Sequence, residues 1–189
     1  DADRLERLLG IRAEVHDRTS LPNHIDSARY VGGMWRDDIG GIHPAKLLAG
    51  MCHLAVASGV KISSGNPVRS VTRDAYAPAE SSFLIETDRG PVHAGHVISA
   101  TNAYTDSAQP WLRRRLVPVI SEMIATEEIG ENMVRSLMPS LGMYGEALQL
   151  GHYYRPSPDG KRILLGGRRM NPDPAKARKR LKDGLVSIF

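Results

Sequence analysis

The sequence predicts a mixed α/β (α+β) fold, and three observations carry that expectation. From Pro44 to Gly59 the apolar residues Leu47, Met51, Leu54 and Ala55 recur on one helical face. Proline stands where a first helical residue is favoured, and glycine falls just past the end as a left-handed cap. Residues 68–94 switch to three short alternating stretches divided by turn residues, the pattern of a β-meander. Residues 116–165 carry strand-like runs on either side of one short helical stretch, the pattern of an antiparallel sheet.

The 189 residues are 41% hydrophobic and 24% charged, which is ordinary for a globular chain able to bury a core. There is no apolar run of about 18 residues and no charged-then-apolar leader, so neither a membrane span nor a secretory signal is expected. The single Cys52 cannot form an internal disulfide, which fits a reducing, cytoplasmic setting. Inside the helix pattern it reads as a buried structural thiol; the competing reading is a cofactor attachment point or nucleophile. The net charge is +4, and Arg113, Arg114, Arg115, Arg168, Arg169, Lys176, Arg178, Lys179, Arg180 and Lys182 hold ten of the 25 basic residues. No nucleic-acid partner is expected from them, because the tail reads as an amphipathic helix with Ala177, Leu181, Leu185 and Ile188 inward. Aromatic residues are also not interleaved with the basic ones.

In chain order, residues 3–15 read as a helix with Leu5, Leu8 and Leu9 on one side, and 18–23 as a loop. Residues 27–31 read as a strand ending at Gly32-Gly33, and Trp35 as either core packing or an aromatic wall beside a ligand. Gly40-Gly41-Ile42-His43-Pro44 opens the central helix. Val60-Lys61-Ile62 follows as a short strand, and Ser63-Ser64-Gly65-Asn66-Pro67 is a turn cluster. Strands at 68–73, 83–87 and 91–94 follow, the last two joined by an Asp88-Arg89-Gly90 hairpin turn. Val97-Ile98-Ser99-Ala100 reads as a buried strand, and residues 116–126 as a long one, with Pro118 marking an edge or bulge. Residues 131–137 form a short helix. Tyr144, Tyr153, Tyr154 and Arg155 precede a Pro158-Asp159-Gly160 turn and a buried strand at 163–165.

Several chemistries find no pattern here. His43, His53, His93, His96 and His152 form no zinc-finger spacing and no His-Glu-x-x-His, so no metal site is expected. There is no Gly-x-Ser-x-Gly elbow, no phosphate-binding Gly-x-x-x-x-Gly-Lys loop and no internal repeat.

The ordered set of Gly-Gly-Ile-His-Pro at 40–44, Ser58-Gly59-Val60-Lys61-Ile62, Val68 and Val97-Ile98-Ser99-Ala100-Thr101-Asn102-Ala103-Tyr104 resembles a known family. With Tyr30-Val31-Gly32-Gly33 upstream and residues 157–167 downstream, it is similar to the FAD-dependent oxidoreductases of the D-amino-acid oxidase and glycine/sarcosine oxidase family. Within that family it looks most like the gamma-glutamylputrescine oxidoreductase branch. The resemblance implies a partial FAD-binding lobe with its β-meander and an antiparallel-sheet substrate lobe. Residues 1–39 would belong to the substrate lobe, 40–104 to the FAD lobe, 105–170 to the substrate sheet and 171–189 to a helix returning toward the FAD lobe. The family's first strand, Gly-x-Gly-x-x-Gly helix and ribose-binding acid are not in these 189 residues. An internal fragment is therefore expected, one that binds FAD weakly or not at all and self-associates through an uncovered apolar sheet edge.

FAD is the implied cofactor of the full-length parent. Val68, Ala100, Thr101 and Asn102 would pass close to it. Asn102 stands where the family usually has glycine, and asparagine is the residue that best tolerates a positive φ in its place. His43 either approaches the flavin or only caps the helix that follows. The implied reaction is oxidation of the C–N bond of an amine or amino acid, with hydride passing to the flavin. In the family's amino-acid oxidases an arginine two residues before the Asp-Gly turn grips the substrate carboxylate. Here that position is Ser157, and the nearest arginine is Arg155, about 7 Å back along the strand on the same face as Tyr153. A clamp so displaced suits a carboxylate at the far end of a longer amine, such as a gamma-glutamylated polyamine. Arg155 reads equally as an ordinary salt-bridge residue. The alternative from a different class is a non-catalytic α+β module that binds a ligand or partner.

Overall fold

The structure is a computed structural model that describes residues 2–189. It divides into two compact units, one formed by the chain up to Leu47 with Ile120–Phe189, the other by Leu48–Val119. All pairings in its three sheets are antiparallel, so the fold is mixed α/β as the sequence predicts.

In the first unit, helix α1 (Ala2–Leu9) stops at Gly10, whose φ of +66° turns the chain into the left-handed region. The expected helix over 3–15 is therefore corrected: its second half is strand β1 (Ala13–Asp17), where β-branched Val15 sits. β1 pairs with β2 (Gly32–Arg36) in a register running from Ala13 opposite Arg36 to Asp17 opposite Gly32. The strand expected at 27–31 is likewise displaced to start at Gly32, because β1 offers partners only from there. The stretch before β2 is held by side chains instead: Ser27 donates its hydroxyl to the Ile188 carbonyl, and Arg29 reaches Glu146.

Helix α2 (Pro44–Ala57) starts and ends where the sequence places it. At its start the Lys46 amide donates to His43 Nδ1 at 3.4 Å. At its end Gly59, with φ +85°, donates to Val56 O, and Val60 to Ala55 O, both at 3.0 Å. These are the paired bonds of a Schellman cap.

The second unit carries the meander, β3 (Val68–Arg73), β4 (Phe83–Thr87) and β5 (Val92–Ala94) in that spatial order. The turn at Gly90 has φ +112°, and a bulge falls between Val68 and Ser70. Two expected strands are absent. Residues 60–62 and 97–100 are not paired with any described residue, and a strand needs a neighbour to hydrogen-bond, which neither segment has here. Asn102 does adopt positive φ, +47°, in a single 3₁₀ turn. Helix α3 (Pro110–Arg113) is one turn long.

Back in the first unit, the strand expected over 116–126 is only β6 (Ser121–Ala125). β9 (Ile163–Arg168) offers partners on this side only to Ser121–Ala125, and among the described residues no strand pairs with the residues around Pro118, which has no amide to donate. Helix α4 (Glu131–Leu137), β7 (Tyr144–Gly145) and β8 (His152–Pro156) complete a four-stranded sheet unit of order β6-β9-β8-β7. Helix α5 (Pro174–Ile188) is capped by the Asp173 carboxylate, which accepts from the Ala175 amide at 2.9 Å, and it packs on β6 and β9. The core lies between sheet and helices: Tyr154, Ile163 and Leu165 from the sheet, Val134 from α4 and Met138 just past its end, Leu181 and Ile188 from α5, with Leu21 and Ile25. Ala177, Leu181 and Ile188 face inward as their spacing predicts.

Candidate functional site

β8 alternates its side chains across the sheet, so His152 and Tyr154 enter the core while Tyr153 and Arg155 stand on the opposite face. Arg155 reaches the edge of a cavity of about 840 Å³. Its walls come from β2, the loop before α2, α4, residues 140–143 and the β8–β9 turn. Trp35 forms one wall. Its indole stacks on His24 at 4.6 Å and donates to Asp37 at 2.8 Å. The chain passes so close at Gly142 that a Cβ there would lie 2.7 Å from the indole.

The charges around this cavity are committed to different degrees. Arg36 is spent on Asp38 through two bonds of 2.9 and 2.6 Å. Arg155 donates Nη1 to the carbonyl of Ile42 at 2.9 Å, which ties β8 to the loop leading into His43 and α2. A Cβ on Gly41 would sit 2.7 Å from Met143 Sδ and 3.1 Å from Arg155 Nη1, so a larger residue there would displace the ends of both side chains where the guanidinium crosses. Ser157 is buried and builds the turn: its hydroxyl donates to Asp159 and accepts from the Arg162 amide. The Ser157 hydroxyl and then the Lys161 amide hold the Asp159 carboxyl below its ordinary value, so it is an anion at the cavity mouth.

Of the other residues singled out in the sequence, Tyr153 lies against Gly166 with its hydroxyl bonded to Ser121, and it does not line the cavity. His43 caps α2. Val68, Ala100, Thr101 and Asn102 belong to the second unit, where Thr101 Oγ1 meets Thr105 Oγ1 at 2.6 Å. Cys52 is half-buried with a free thiol.

A buried polar cluster lies elsewhere in the first unit, and the sequence gives no sign of it. The Glu146 side chain is only 2% exposed. It accepts from the Tyr30 hydroxyl at 2.9 Å, Arg29 Nε at 3.1 Å, the His152 amide at 2.8 Å and His152 Nδ1 at 3.0 Å. Desolvation pushes its carboxyl up, but the His152 amide, Tyr30 and the other donors outweigh this and leave it below the ordinary value. Burial pushes Tyr30 up to about 12 and Tyr154 higher still, so both hydroxyls stay protonated. With every lone pair of Glu146 engaged, the carboxylate pins the β7–β8 connection and has no open acceptor, while the far ring nitrogen of its partner, His152 Nε2, is buried without a hydrogen-bond partner among the described residues. An isolated glutamate in Tyr144-Gly145-Glu146-Ala147 carries no local signature of such a role.

The meander of one unit, and the antiparallel sheet of the other with its cavity of mixed charge, are elements that the resemblance noted in the sequence leads one to expect. Comparison with known proteins agrees: the FAD dependent oxidoreductase family matches residues 1–188, and the chain belongs to that family. It is similar to Gamma-glutamylputrescine oxidoreductase of Escherichia coli strain K12, 30% identical over 86% of this chain and 37% of that protein. It is also similar to Probable oxidoreductase OrdL of Haemophilus influenzae, 31% identical over 81% of this chain and 35% of the relative. The Rhizobium meliloti protein of the same name is 26% identical over 80% and 34%. The chain thus spans about a third of the length of the curated relatives it matches. No helix among the described residues is long and apolar enough to cross a membrane.

Proposed function

We propose that the chain is the substrate-cavity part of a cytoplasmic FAD-dependent enzyme that oxidises the C–N bond of an extended amine bearing a distal carboxylate, such as a gamma-glutamylated polyamine. The observation that carries this reading is Arg155, standing on the open face of β8 at the rim of the roughly 840 Å³ cavity while Ser157 is consumed by the turn. FAD, when bound, supplies the hydride acceptor. Arg155 orients the substrate by holding the far carboxylate, Trp35 and Met143 line the cavity, and the bond to Ile42 keeps the guanidinium in place. The name of the Escherichia coli relative, Gamma-glutamylputrescine oxidoreductase, supports the substrate class.

The residues assigned to the cofactor fit a flanking role. Residues 97–100 form no backbone hydrogen bond among the described residues, Ile98 is 90% exposed, and Ala100 and Asn102 are small side chains on open backbone. This suits the edge of a planar ring beside Val68, and it lacks the phosphate-holding helix terminus. Purified alone, the chain binds FAD weakly or not at all and self-associates through this uncovered face; a clean monomer by sedimentation at high concentration would refute the second part.

The assignment of Arg155 is tested in the full-length enzyme with Arg155→Lys. The KM for the carboxylate-bearing amine rises about tenfold or more, while an amine of equal length without the carboxylate is unaffected. Equal effects on both substrates contradict the assignment.

A further inference from the structure

The cavity carries more charge than a carboxylate clamp needs, and of both signs. With Arg36 neutralised by Asp38, the groups left on its walls are Arg135 and Arg155 as cations and Glu131 and Asp159 as anions. Glu131 and Arg135 are four residues apart on α4, in the order that ordinarily closes into an ion pair on a helix surface. They form none: neither takes part in a salt bridge among the described residues, and both line the cavity. The Glu131 stem lies along the β8–β9 turn, with its Cγ 3.6 Å from where a Cβ on Gly160 would be. That packing holds it beside the turn that carries Asp159. A negative charge in the first turn of α4 is favoured by the helix itself, but this does not account for an arginine one turn on that leaves it unpaired.

We propose that this cavity takes the zwitterionic head of an α-amino acid, its carboxylate on Arg155 and Arg135 and its ammonium on Glu131. The inference rests on the substrate reading given above and adds to it the ammonium subsite. Two cations and two anions around one cavity match a ligand end of zero net charge better than a dianion or a dication, because every uncompensated wall charge on closure carries a desolvation cost. Asp159 Oδ1 already accepts from Ser157 and Lys161 within the turn, whereas the Glu131 carboxylate has no hydrogen-bonded or ionic partner among the described residues, so the ammonium is assigned to Glu131.

The test uses the full-length enzyme and calorimetric binding of two probes, γ-L-glutamyl-ethylamide and its des-amino analogue N-ethyl glutaramate. The native protein binds the zwitterion about tenfold tighter than the analogue, a preference of the size expected for one charge-assisted hydrogen bond. Glu131→Gln brings the ratio close to one and leaves the analogue's affinity unchanged. Arg155→Lys weakens both probes about equally. Native protein that does not discriminate between the probes, or a Glu131→Gln variant that still does, overturns the ammonium subsite and leaves the Arg155 assignment standing. If Arg155→Lys leaves both affinities unaltered, the carboxylate clamp falls as well. Glu131 is exposed, so its replacement is not expected to disturb folding, and an unchanged unfolding midpoint confirms that the effect is on binding.

Discussion

Leu165 on β9 is fully buried, whereas Leu54 in the last turn of α2 is 69% exposed, although both stand in apolar runs that look like core in the sequence. The contrast holds for the whole of the two units. Every buried hydrophobic residue of the core belongs to the unit built on the four-stranded sheet. In the meander unit Thr105 is the only buried residue among those described, and Val60, Ile62, Ile98 and Val117 lie open. The sheet unit closes its own core with α4 and α5. The meander unit is held by its hairpin ladders and by the capped turns of α2, with apolar surface left uncovered. Apolar periodicity therefore states that a face wants to be buried, not that this stretch of chain supplies the cover.

The largest expected effect separates the units directly. Leu165→Ala, in the packed core, lowers unfolding stability by about 2–5 kcal/mol. Leu54→Ala changes it by about 0.5 kcal/mol or less. Urea denaturation of both variants checks this, and comparable losses would mean that α2 is packed in solution.

A smaller effect sharpens the account of the sheet unit. The Glu146 carboxyl is held below its ordinary 4.5 in the folded state, because its four donors outweigh desolvation. Its contribution to stability is therefore complete above the unfolded value and is lost as pH falls through the lowered folded one. Glu146→Gln reduces stability at neutral pH and flattens part of the decline on acidification from about pH 6 to about 3. Parallel pH profiles for variant and native protein would contradict the role given to the cluster.

What the sequence made legible follows from the same physics. Pro44, Gly59 and the spacing between them bound α2 closely, and residues 131–137 likewise, because caps and periodicity are local signals. The Asp88-Arg89-Gly90 turn and positive φ at Asn102 were legible for the same reason. Strands were less so: 60–62 and 97–100 have the composition but no partner, and β1 was hidden in what reads as the end of a helix, since pairing is a property of two segments. In the site, Arg155 could be found from alternation back from the turn. Trp35 against Gly142, the pairing of Arg155 with Ile42 and the Glu146 cluster join residues far apart in the chain, and no local pattern announces them.

Whether one unit carries its own core and the other an uncovered apolar surface is decided by native-state amide hydrogen exchange on the 189-residue chain. The account predicts that β8, β9 and α5 exchange only through global opening. Interior amides of α2 and the meander should exchange by local opening, at least about tenfold faster. Protection in α2 equal to that of β9, at a concentration where the chain is monomeric, would contradict it.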